Sequence, residues 1–261
     1  MIAKADGDDV LAETNDANNT FYRAVAIGPD LAVTALSAPA TASAGLAIGV
    51  GDTTGNASGA AAPATTTRFY LSVNATLDAG DVLLGSRLVP ALAPGASSAG
   101  STSLTIPAGT ASGAYYLIAK ADGDDALGET SEVNNAYARS IGIGPNLVIA
   151  NVTYPSAAAA GQAISLGDTA QNQGGGTAPA TSTRFYLSTN TLLDASDILL
   201  GSRSVASVAP GASTVGAVGL AIPAGAAPGY YYLITKVDGE DALAETSEFD
   251  NTLVRVIQIT P

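Results

Sequence analysis

Acidic and amide side chains concentrate in one stretch that occurs three times. In its middle copy Asp122, Asp124, Asp125, Glu129 and Glu132 lie close together, with Asn134 and Asn135 directly after them. The last copy brings Asp238, Glu240, Asp241 and Glu245 to matching places. Oxygen-rich side chains around an Asp-Gly turn have the chemistry of a hard-cation site. Calcium takes about six to eight oxygens from carboxylates, carbonyls and water, and an Asp-Gly-Asp-Asp turn can wrap several around one point. The spacing is not that of the EF-hand loop. A structural reading competes with the metal reading. Asp-Gly is a turn signal by itself, Leu127 would then plug a core while the acids face water, and the asparagines would bond nearby backbone. A second set, Asn74, Asp78 and Asp81, recurs as Asn190, Asp194 and Asp197. It could share a calcium ion, but Asx turns explain it more simply.

Other reactive types are scarce. The chain has no cysteine and no histidine, which removes thiol chemistry, the usual general base and the usual transition-metal ligands. No Gly-x-Ser-x-Gly elbow or phosphate loop is present, so the chain reads as non-enzymatic. Lys4, Lys120 and Lys236 sit at equivalent places inside a strand. Facing inward they could form a Lys–Asn isopeptide bond; facing outward they pair with acids such as Asp122, the preferred reading. Tyr115 and Tyr116, with Tyr230 to Tyr232, could stack a sugar. Alternate strand residues face opposite ways, however, so at least one tyrosine of each group belongs to a core.

These residues are positioned by a repeat. Lys4, Lys120 and Lys236 are spaced 116 residues apart, as are Arg68 and Arg184, and Pro29, Pro145 and Pro261. A period of domain length marks a tandem array of whole domains: residues 29–144 and 145–261 are complete repeats. Residues 1–28 match only the last quarter of one and read as its C-terminal strands, either cut from a longer array or completed by strands from another chain. The net charge of −13 argues against a nucleic-acid partner and suits a soluble or cation-collecting surface. No apolar run is long enough to span a membrane.

Within a repeat, Gly and Pro recur about every ten residues between short alternating runs, the cadence of a β-sandwich. Strands are expected over 30–36, 46–50, 66–72, 82–89, 101–106, 114–121 and 137–143, and at equivalent places in the next repeat. Phe69 and Leu71 should face opposite to Arg68 and Tyr70. The alanine run Ala157 to Ala160 reads as a turn. Residues 56–63 read as a loop, and the counterpart at Asn172 to Gly176 as a looser one. The joint Ile143-Gly144-Pro145-Asn146-Leu147 is short and stiffened by proline. The fold class is therefore all-β, with tandem immunoglobulin-like seven-stranded β-sandwiches joined head-to-tail.

Three motifs recur in order in each repeat. Pro29-Asp30-Leu31 and Pro145-Asn146-Leu147 open it. Arg-Phe-Tyr-Leu-Ser at Arg68 to Ser72 and Arg184 to Ser188 follows, with Leu-Asp-x-x-Asp-x-Leu-Leu-Gly-Ser-Arg after it. Tyr-Tyr-Leu-Ile-x-Lys-x-Asp and Glu-Thr-x-Glu-x-Asn-Asn close it. Together they resemble the CARDB domain, the cell-adhesion-related domain found in bacteria. Asn146 and Asp250 are departures from its pattern. The resemblance implies an immunoglobulin-like fold, tandem use in large secreted or surface proteins, and an adhesive or structural role. The expected function is a structural or adhesive rod of a bacterial extracellular or cell-surface protein, self-assembling into a filament or binding a surface ligand. The alternative is a carbohydrate- or protein-binding accessory module of a secreted enzyme.

Overall fold

The computed structural model describes all residues 1–261 and contains no α-helix. It begins with a hairpin of β1 (Ile2–Lys4) and β2 (Thr20–Tyr22), separated by the acidic loop and a 3-10 turn at Asp16–Asn18. The first repeat comprises β3 (Leu31–Ser37), β4 (Thr41–Ala42), β5 (Ala47–Asn56), β6 (Thr65–Ser72), β7 (Val82–Val89), β8 (Ser97–Thr105), β9 (Gly113–Lys120) and β10 (Ala136–Ile143). The second comprises β11 (Leu147–Thr153), β12 (Ala157–Ala159), β13 (Ala163–Asn172), β14 (Thr181–Ser188), β15 (Ile198–Val205), β16 (Ser213–Ala221), β17 (Gly229–Val237) and β18 (Thr252–Thr260).

Each repeat is a sandwich of a three-stranded sheet, β3-β5-β8 or β11-β13-β16, and a five-stranded sheet, β4-β10-β9-β6-β7 or β12-β18-β17-β14-β15. All seven expected strands are present. The eighth, β4 or β12, is a short addition that lies parallel to the last strand. The turn expected at Ala157 to Ala160 is thus a strand at Ala157–Ala159. Three identical small residues show no alternation, and the pairing that makes them a strand is with residues about a hundred positions away.

The core follows from the period of two. In β6, Phe69 and Leu71 are buried while Arg68 and Tyr70 face out, and Leu31, Val33, Ile48, Val50, Leu104, Leu117 and Ile143 close over them from neighbouring strands. The same parity brings one charge inside. Asp52 shares the inward face of β5 with Ile48 and Val50 and is 3% exposed. Arg87 of β7 reaches it through Nε and Nη2 at 2.7 and 2.6 Å. Asp168 and Arg203 repeat the fork at 2.7 and 2.6 Å. A buried carboxylate is tolerated only with such a partner. An Asp at inward parity was the sequence signal for this pair, and it was missed.

Candidate functional site

The acidic loop connects β9 to β10, and β17 to β18. Its turn is made by aspartates in the left-handed region: Asp122 and Asp125 at φ 40° and 49°, Asp238 and Asp241 at 46° and 50°. Aspartate visits that region more readily than most residues because its short side chain bonds locally. Asp122 is fully buried rather than facing water. It accepts from Thr65 Oγ1 at 2.7 Å and from the Leu127 N–H at 2.8 Å. Asp238 does the same with Thr181 and Leu243, at 2.6 and 2.9 Å. The turn is thereby pinned to the start of β6 or β14, and Leu127 packs against the core as expected.

The remaining acids are also taken up by protein donors. Asp124 pairs with Arg68 and accepts from Thr66 Oγ1, and Glu240 accepts from Arg184 at 2.6 Å. Lys120 reaches Asp125 at 2.6 Å, not Asp122, and Lys236 reaches Asp241. Both lysines lie on the outer face of the five-stranded sheet. Asn135, the asparagine an isopeptide would need, is instead bound to Glu129. Glu129 accepts from the Leu31 N–H and from Asn135 Nδ2 at 3.1 Å. Glu245 accepts from the Leu147 N–H and Asn251 Nδ2. The adjacent threonines donate their backbone N–H to the chain before the first strand, Thr130 to Pro29 O and Thr246 to Pro145 O, both at 2.9 Å. The Glu-Thr-x-Glu-x-Asn-Asn motif is therefore a clamp that fixes the segment leading into its own repeat. The asparagines bond carboxylates here, not the backbone groups expected of them.

The clamps differ in depth. Glu245 is 5% exposed, next to Thr246, which packs on Gly142 of the preceding repeat, whereas Glu129 is only half-buried. Burial, with Glu248 and Asp238 close by, pushes the Glu245 carboxyl up to about 7 against the opposing pull of the Leu147 N–H. Burial raises Glu129 too, with help from Glu132 and Asp122. The amide oxygens of Asn135, Asn146 and Asn251 are buried without a partner.

Asp78 and Asp81 lie at the opposite pole, beyond the far end of β6. The Asp78 N–H donates to Asp81 at 2.9 Å, the Gly80 N–H donates to Asp78 at 2.7 Å, and Asp194 and Asp197 repeat the pattern. Ser196 holds the Asp194 carboxyl below its ordinary value through its hydroxyl and its N–H. These are Asx turns. Eight residues of β6 separate them from the acidic loop by about 26 Å, so the two sets are independent of each other. Nowhere do three acidic side chains converge closely enough to hold a metal.

Tyr115 and Tyr231 pack against the cores, as expected for one tyrosine of each group. Strand register places Tyr116 and Tyr70 beside Ile118 on the outer face, and Tyr232 and Tyr186 beside Ile234. Tyr230 is exposed at the end of that face.

The CARDB family model matches residues 28–139 and again 144–255. Among solved structures, the chain is similar to the CARDB domain of a Pyrococcus furiosus protein in complex with di-metal ions. That likeness is at 20% identity over 47% of this chain and 94% of that one, with a TM-score of 0.36. It is also similar to the 272–376 domain of a putative cell surface protein from Methanosarcina acetivorans, 25% identical over 45% and 93%, with a TM-score of 0.33. Red sea bream transglutaminase aligns over 92% of this chain and 32% of its own at 13% identity and a TM-score of 0.45. No curated protein matches. The chain belongs to the CARDB family and carries two copies of its domain in tandem.

Proposed function

We propose that the chain is a non-enzymatic rod segment of an extracellular or cell-surface protein, serving a structural or adhesive role. CARDB domains are non-catalytic, surface-associated modules, and no helix of the chain is long and apolar enough to cross a membrane. The observation that carries the reading is the joint. Gly144, Pro145 and Asn146 are all buried, and their backbone groups are bonded into the repeats on either side. Chain enters each sandwich at one pole and leaves at the other, so short buried joints set repeats end to end. The β1–β2 hairpin, whose residues are exposed, offers unpaired strand edges that strands of a second copy could extend. Light scattering against concentration, with electron microscopy, tests the filament form of this reading. A chain that stays monomeric, with residues 1–28 cleaved readily by protease, defeats it.

Two narrower readings have their own observations. Tyr230, Tyr232, Tyr186 and Val256 on the outer face of the second repeat support the accessory-module alternative. Glycan binding lost in Tyr230→Ala would favour it over the rod. Calcium is supported by the unpartnered Asn251 oxygen, on a side chain bonded to Glu245, whose N–H in turn holds Glu248; binding would require that turn to close on the ion. An upward shift of the melting temperature in excess calcium over EDTA, abolished by Glu248→Gln, supports calcium. No shift excludes it.

A further inference from the structure

The loop Asn172 to Gly176, which reads as slack in the sequence, is the tightest contact between the repeats. A Cβ on Gly175 would lie 2.5–2.6 Å from the backbone of Ala42 in β4 of the preceding repeat. On Gly176 it would come within 2.9 Å of Gly144, and on Gly174 it would overlap Gly144, Pro145 and Asn146. The Gly176 N–H donates to Gly144 O at 2.9 Å, and the Gln173 N–H to Asn146 O at 2.7 Å. From the other side, Thr246 of the second repeat packs on Gly142, 3.1 Å from where its Cβ would be. Gly174 to Gly176 thus reach the backbone of Ala42 and of the joint directly, while the Thr246 side chain fills the space over Gly142.

The other poles of the same chain lack these glycines. In the first repeat Ser58 and Ala60 stand where Gly174 and Gly176 do, and no bond equivalent to Gly176–Gly144 forms. Gly59 stands at the place of Gly175, but residues 1–28 include no counterpart of Ala42 for it to meet, so the contrast between the poles rests on Ser58 and Ala60. At the far pole of the second repeat, Gln258 and Thr260 replace Gly142 and Gly144.

We infer that the poles form a matched, pair-specific interaction surface: the glycine seat of the second repeat takes only a preceding repeat with glycine at 142 and 144, and locks it. Residues 29–261 then move as one rigid body. A repeat presenting Ser58 and Ala60, or Gln258 and Thr260, at these places offers side chains in place of the glycines and does not form this lock. This deepens the rod reading by placing stiffness at one kind of joint. It concerns domain orientation alone, so it can hold even if filament formation and adhesion both fail.

The chain has no cysteine, so spin labels on cysteines introduced at exposed Ser103 and Ser204 report one inter-repeat distance by pulsed electron resonance. The expected result is a single narrow distribution in the labelled chain, unchanged by Gly59→Ala and broadened by Gly175→Ala. A distribution already broad without Gly175→Ala, or one that Gly175→Ala leaves narrow, overturns the inference. If Gly175→Ala unfolds the second repeat, the labelled chain and Gly59→Ala still decide the matter by their width.

Discussion

Replacing Glu245 with glutamine tests the clamp most directly. The carboxyl of Glu245 lies under the joint with Glu248 and Asp238 near it, and its folded value of about 7 stands above the ordinary 4.5. The folded repeat therefore holds a proton that the unfolded chain has released. Stability from this group is full below about pH 4.5 and is lost as the pH climbs to about 7. At 1.36 kcal/mol per pH unit the gap between 4.5 and about 7 is worth at most about 3–4 kcal/mol. A glutamine cannot ionise. Its carbonyl still accepts the Leu147 N–H, and its amide group can donate to Asn251, whose oxygen has no partner. The expected outcome is that Glu245→Gln melts with the parent chain at pH 4 and above it at pH 8, by about 5–10 °C. Calorimetry at both values measures it. A difference that is the same at pH 4 and pH 8, or a variant less stable at pH 8, would refute the buried-carboxyl argument.

Glu129→Gln should show the same sign with a smaller rise, because Glu129 is less covered. Asp168→Ala strands Arg203 inside the second sandwich and should cost about 3–5 kcal/mol by chemical denaturation, while Asp168→Leu with Arg203→Met recovers most of the loss. Phe185→Ala removes a ring that is 1% exposed and should cost about 3–5 kcal/mol. Thr181→Val deletes the hydroxyl bound to the buried Asp238 and should cost about 1–3 kcal/mol, read as a lowered melting temperature of the second repeat.

What the sequence disclosed was whatever is local or periodic. The alternation of Phe69 and Leu71 with Arg68 and Tyr70 set both the strand and its faces, and the 116-residue spacing set the domains. Leu127 was placed in the core from its position between turn and strand. What it hid depends on partners distant in the chain. Glu129 looks like one acid among several until its partner Leu31, 98 residues earlier, is seen. Asp52 and Arg87 are separated by 35 residues. Gly174 to Gly176 looked loose because composition does not reveal which backbone will press against them. The acids that suggested calcium were grouped in sequence, yet folding sends each to a different donor: a threonine hydroxyl, an arginine, a lysine, a backbone N–H.

The short strands β4 and β12 give the repeat a mechanical character. Each runs parallel to the last strand of its own sandwich, the pairs Gly142–Thr41 and Ile143–Ala42 in one repeat and three such pairs in the other. Tension entering from the N-terminal side is held first by β3 on β5, or β11 on β13, and once that pairing yields it pulls these parallel partners in opposite directions along their length. Their hydrogen bonds lie across the pull and are loaded together in shear, not opened one after another as in an unzipping hairpin. Load that has released the first strand is met next by the smallest strands of the fold, and there the second repeat, with three pairs to the first's two, should be the later to give way.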